Sequence, residues 1–113
     1  MRQYAFLKEP INYEDGSVFK IMLYVSPEGV YVFLYDSPDA QLSFADEWYE
    51  DISDALEKWG NKLDEQGWFP LPDPLPDCQH DAFIPVRVKG RAEGDPQWGS
   101  FEALIDGKWT DMK

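Results

Sequence analysis

The chain has 113 residues, 43% of them hydrophobic and 16% aromatic, and a formal net charge of −12. That length suits one core, and that apolar content excludes a disordered chain. The negative charge argues against binding nucleic acid through its phosphates or docking on an anionic membrane, and no stretch approaches the roughly 20 apolar residues that span a bilayer.

Gln3 to Lys8 reads as a short strand that ends near Pro10, ahead of a loop carrying Asn12, Asp15 and Gly16. Val18–Val25 and Val30–Tyr35 are rich in β-branched and aromatic residues. Ser26-Pro27-Glu28-Gly29 lies between them and predicts a hairpin, because Pro27 pre-sets φ and Gly29 tolerates positive φ. Both strands are apolar on both faces, as expected for central strands.

A long helix of about six turns is predicted from Ser43 or Ala45 to Gly67. Phe44, Trp48, Ile52, Ala55, Leu56, Trp59 and Leu63 recur every three or four residues and draw one stripe. Ser43 and Asp46 have capping-box spacing. Trp48 and Trp59 fall on the stripe and are expected in the core.

Beyond Gly67 the composition changes. Pro70, Pro72, Pro74, Pro76 and Pro85 forbid helix and argue against a ladder strand, so an extended strap is predicted, pinned by Trp68, Phe69, Leu71 and Leu75. Phe83–Lys89 alternates as a strand, and Trp98–Ile105 turns through Asp106-Gly107 into Lys108-Trp109-Thr110. The expected order is therefore β-β-β-α-β-β-β: residues 1–113 as a single α+β domain, with one antiparallel sheet of about six strands, the helix on one face and the Pro-rich strap.

The charge is concentrated. Residues 36–77 hold twelve acidic residues against Lys58 and Lys62, a net of −10, which leaves −2 for the rest. On the predicted helix, Asp46, Glu50, Asp54, Glu57 and Asp64 form an acidic face opposite the apolar stripe, flanked by Glu47 and Asp51, and the candidate partner-binding residues are Asp46, Glu47, Glu50, Asp51, Asp54 and Glu57. Like charges one turn apart, such as 46/50, 47/51 and 50/54, cost about 0.2–0.5 kcal/mol each. Solubility alone accounts for such a face; a docking surface for a basic protein partner is the functional alternative. Arg87, Lys89 and Arg91 form a small basic patch that could pair with this helix or protect a sheet edge.

The strap offers a second candidate ligand region, with Trp68, Cys78 and His80. Cys78 and His80 are two residues apart and share a side in extended chain. Neither the Gly-rich phosphate loop nor the nucleophile elbow is present, and one Cys with one His lacks zinc-site spacing. No cofactor, resident metal or catalytic residue is expected. Met1–Leu7 has no apolar run of the kind a secretory leader needs. The single Cys78 fits a reducing compartment, the cytoplasm.

The leading reading is a small acidic, non-catalytic protein-binding or regulatory module that uses the acidic helix face. Its sharper form is an inhibitor or immunity-type protein for a basic partner. The alternatives are a small-molecule or metal-binding domain, possibly enzymatic, centred on the strap with Cys78 and His80, and an obligate homodimer that covers the apolar sheet.

Overall fold

The computed structural model describes residues 1–14, 16–91 and 93–112. Among them the chain runs β1 (Arg2–Tyr13), β2 (Gly16–Ser26), β3 (Gly29–Tyr35), β4 (Ala45–Tyr49), α1 (Ile52–Trp59) with a 3-10 turn (Gly60–Lys62), β5 (Phe69–Leu71), β6 (Val86–Val88), β7 (Phe101–Ile105) and β8 (Lys108–Asp111). The fold is α+β and mostly antiparallel sheet. It has two compact units, Met1–Asp73 and Pro74–Lys113. The strands form two sheets where the sequence pattern predicts one, in the orders β4-β3-β2-β1-β5 and β6-β7-β8.

In the first unit, β2 and β3 pair from Lys20↔Tyr35 to Ser26↔Gly29, leaving Pro27-Glu28 as the turn. Gly29 has φ +143°, and the Ser26 hydroxyl donates to its carbonyl at 2.9 Å. β1 is longer than expected and continues past Pro10 to Tyr13. Its pairing with β2 breaks between Phe6 and Ile11, where proline can offer no N–H to the ladder. Of the predicted turn residues, Asp15 lies outside the described ones.

The long helix does not form. Ala45–Tyr49 is a strand instead, in register with β3 from Leu34↔Ala45 to Val30↔Tyr49. The residues at 44, 48 and 52 fit a stripe of helical period, but even spacings also fit a strand of period two. As a strand, the segment turns Ala45, Glu47 and Tyr49 to the face carrying Leu34, Val32 and Val30, and Asp46 and Trp48 to the other. The helix starts late because Asp51 caps it: its carboxylate accepts the Asp54 N–H at 3.1 Å while its own backbone stays extended. This moves the like-charge pairs 46/50 and 47/51 off the helix. Ser43 and Asp46 do not cap, and Gly67 is not the stop. The last turn tightens through Gly60–Lys62, with the Lys62 amine donating to the Lys58 carbonyl.

The core of this unit lies between the helix and one sheet face. Ala55, Trp59 and Leu63 pack with Ala5, Leu7, Ile21, Leu23, Val30, Val32 and Leu34. Trp59 is buried as expected, but Trp48 stands on β4 and is 51% exposed. On the opposite face Tyr24, Tyr31 and Phe33 form a stacked row, with ring centroids 6.2 and 5.8 Å apart. The Lys20 amine donates to the carbonyls of Pro38 and Ala40, both at 2.9 Å, and so folds down the connection to β4.

The proline-rich segment is not a continuous strap. Phe69-Pro70-Leu71 pairs with Tyr4-Gln3-Arg2 as the far edge strand. An edge tolerates proline because a missing N–H that faces away from the neighbour breaks no ladder bond. In the second unit, strand structure covers only Val86–Val88 of the expected Phe83–Lys89 and only Phe101–Ile105 of the expected Trp98–Ile105. Trp98 is therefore in a loop, 73% exposed. Asp106-Gly107 makes the predicted two-residue turn, with φ 51° and 78° and Ile105↔Lys108 closing it. Val86, Val88 and Ala103 are buried.

Candidate functional site

The six predicted partner-binding residues do not share one helix face. Asp46 and Glu47 are on β4, on opposite sides; Glu50 and Asp51 lie in the connection; Asp54 and Glu57 are on α1. Asp46, Glu50, Asp51, Asp54 and Glu57 are all exposed. Among the described residues none of these five carboxylates is in an ion pair. The Ser53 hydroxyl, at 2.7 Å, and then the Asp54 amide hold the Asp51 carboxyl below its ordinary range.

Glu47 has a different task. Because the strand turns it toward the helix, its side chain is only 14% exposed. One oxygen accepts the Tyr49 hydroxyl at 2.5 Å and the Trp59 indole N–H at 2.9 Å, and the other accepts the Lys58 amine at 2.5 Å. Burial pushes its pKa up, but the donations from Lys58, Tyr49 and Trp59 together outweigh that, so it lies below the ordinary glutamate value. Tyr49 is pushed up to about 12, first by burial and then by the Glu47 carboxylate. Glu47 thus ties strand to helix and is spent internally. Three donors on one carboxylate hold β4 and α1 in one arrangement.

Beside this network the surface is mixed. Trp48 on β4 and Ile52 and Leu56 on α1 are exposed apolar residues. Trp48 packs on Gly29: a Cβ there would lie 2.3 Å from the indole nitrogen. At the β2–β3 turn a cavity of about 410 Å³ is lined by Val25, Glu28, Val30, Glu50, Asp51 and Ile52 together with Met1 and the turn backbone. Glu28 and Trp48 are the residues that the sequence pattern misses. The alternation of Ala45, Glu47 and Tyr49 is the signal that could have put Trp48 on a strand.

The strap residues fall in different units. Trp68 packs against the core of the first unit, while Cys78 and His80 belong to the second. There Asp77, Cys78, Gln79, His80 and Arg91 line a cavity of about 210 Å³. The Cys78 thiol is buried, and burial pushes its pKa up against the opposing pull of Arg87 and Arg91. A raised thiol is the reverse of an activated nucleophile. Among the described residues no group of three or more His, Cys, Asp or Glu side chains could hold a metal ion. The basic patch pairs inside its own unit: Arg87 with Glu102 at 2.6 Å, Lys89 with Asp111 at 2.9 Å and Arg91 with Asp77 at 3.7 Å. Arg87 also lies 3.7 Å from the Trp109 ring centroid. Among the described residues no helix is long and apolar enough to cross a membrane.

No family model, curated protein or solved structure matches the chain.

Proposed function

We propose that the chain is a non-catalytic docking module that binds a basic protein partner through Asp46, Glu50, Asp51, Asp54 and Glu57, with Trp48 and Ile52 as apolar anchors. An inhibitor or immunity-type protein is one form of such a module. The observation that supports it is the company these carboxylates keep. They are exposed and outside every ion pair of the described residues, and Asp46 shares its side of β4 with Trp48, which is half exposed. A solvated face has no need of an exposed indole, whereas protein interfaces centre on aromatic anchors inside a polar rim. Charge of one sign on a braced strand and helix would also steer a basic partner and speed association. The single buried thiol fits a reducing compartment, and the cytoplasm is the proposed location.

The test is affinity capture with the wild type beside a Glu50→Lys, Asp54→Lys, Glu57→Lys variant, at low and raised salt. Asp51 is left in place because it caps the helix. The reading requires a basic protein that the wild type holds, that the variant loses, and that is released as salt shortens the screening length. Capture of the same proteins by both baits would overturn it.

A further inference from the structure

The proposed docking surface includes a sheet edge, and an edge strand makes a particular demand. β4 has β3 as its one strand neighbour, and among the described residues no backbone hydrogen bond joins residues 45–49 to anything else. Half of its backbone donors and acceptors therefore face outward, as in any edge strand, and form a template for another strand. Proteins usually blunt such an edge with proline, lysine, a bulge or a covering segment. The opposite edge of this sheet, β5, contains Pro70. β4 has neither proline nor lysine, and its register with β3 is unbroken over five residues.

What β4 carries is selective chemistry. Asp46 and Trp48 are two apart and project on the same side, about 7 Å from one another along the strand. Both are exposed, and Trp48 is seated on the Gly29 backbone. A carboxylate beside an indole suits a cationic side chain, which can pair with one and lie over the other. The acidity of Asp46, Glu50 and Asp51, in a chain of net charge −12, opposes pairing with another acidic strand, a second copy included. From behind, the Glu47 network braces the strand, so little ordering remains to be done on binding.

We infer that β4 is a strand-addition site that takes an extended basic segment of a protein partner as a sixth strand, with cationic side chains facing Asp46 and Trp48. This rests on the docking reading and specifies how that docking occurs. Backbone hydrogen bonds supply affinity, and alternate side chains supply the preference for positive charge.

The probe is a blocked heptapeptide alternating Lys and Val, with two analogues in which one or the other alternate set of backbone amides is N-methylated. Strand addition uses one set of donors only. One analogue therefore weakens about tenfold or more in titration calorimetry while the other binds as the parent does. The parent also slows hydrogen exchange at Ala45–Tyr49, and Trp48→Ala lowers its affinity. If both analogues bind like the parent, strand addition is wrong while electrostatic docking stands. If none of the three peptides binds, strand addition is also overturned, and the docking reading then depends on the triple Lys variant alone. Protection of β4 without peptide, together with a dimer mass in sedimentation, would assign the edge to a second copy and sink the inference.

Discussion

The five-stranded sheet ends in two unlike ways. At one edge, β5 is three residues long, contains Pro70, and is followed by Pro72, whose carbonyl accepts the Arg2 guanidinium at 2.8 Å. At the other, β4 is five residues long, proline-free and acidic. The first edge is closed by removing a donor. The second keeps its donors and carries acidic side chains, which under the strand-addition proposal would exclude acidic strands but not basic ones. On the strand-addition proposal, sheet termination and partner selection are separate properties of two edges of one sheet.

Breaking the brace behind β4 should have the largest effect. Glu47→Ala leaves the Tyr49 hydroxyl, the Trp59 indole N–H and the Lys58 amine without their shared acceptor, and should lower unfolding free energy by about 3 kcal/mol. Urea titration checks this, and Glu47→Gln should recover part of the loss by keeping an acceptor oxygen. If Glu47→Ala is neutral, the brace is not what holds β4.

Gly29→Ala comes next. It demands a positive φ of alanine and drives a methyl into the Trp48 indole, at about 2 kcal/mol. Part of that cost should vanish in the Trp48→Ala background, a non-additivity that a double-mutant cycle reads directly.

The same network sets a pH response. Glu47 has a folded pKa below its ordinary 4.5, so its contribution is complete above that value and is lost as pH falls through the lower, folded one. Tyr49 is shifted the other way. Its contribution is complete below pH 10 and is lost as pH rises from there toward about 12. Tyr13, also raised chiefly by burial, adds to the alkaline limb. Thermal melts should therefore fall at both ends, and Tyr49→Phe should shrink the alkaline fall and, by removing one of the three donors to Glu47, part of the acid fall as well.

The smallest expected effect is at the closed edge. Pro70→Thr restores a backbone donor there and should change stability by no more than about 0.5 kcal/mol. It should, however, promote self-association in sedimentation velocity. If it does not, something other than Pro70 closes that edge.

The hairpin turns were legible because Pro27, Gly29, Asp106 and Gly107 carry local backbone demands that no tertiary contact needs to supply. The helix over Ile52–Trp59 was legible for a similar reason, since the odd steps from Ile52 to Ala55 and from Leu56 to Trp59 fit a helical stripe and not a strand of period two. Residues 44–49 were not, because their spacing fits both periods and β3, far from them in local pattern, decides between the two. Glu47 was misread as surface for the same reason: only the register with Val32 turns it inward. The strap failed at Pro70, where a rule about ladder strands met an edge. Trp68, Cys78 and His80 were grouped because they are near in sequence, yet the division between Asp73 and Pro74 separates the first from the other two.

That division gives Cys78 a further use. It is the chain's one thiol, it is buried in the second unit, and its backbone bridges Arg87 on β6. Cys78 is only 7% exposed, so labelling by a bulky thiol reagent is slow until that unit opens, and the labelling rate is a clock for Pro74–Lys113 alone. Hydrogen exchange at the β2 and β3 amides follows the first unit. Run together in rising urea, the two signals give a stopwatch for each half of the chain. Coincident curves mark one cooperative domain over residues 1–113, and a faster clock at Cys78 marks a second unit that opens while the first stays shut.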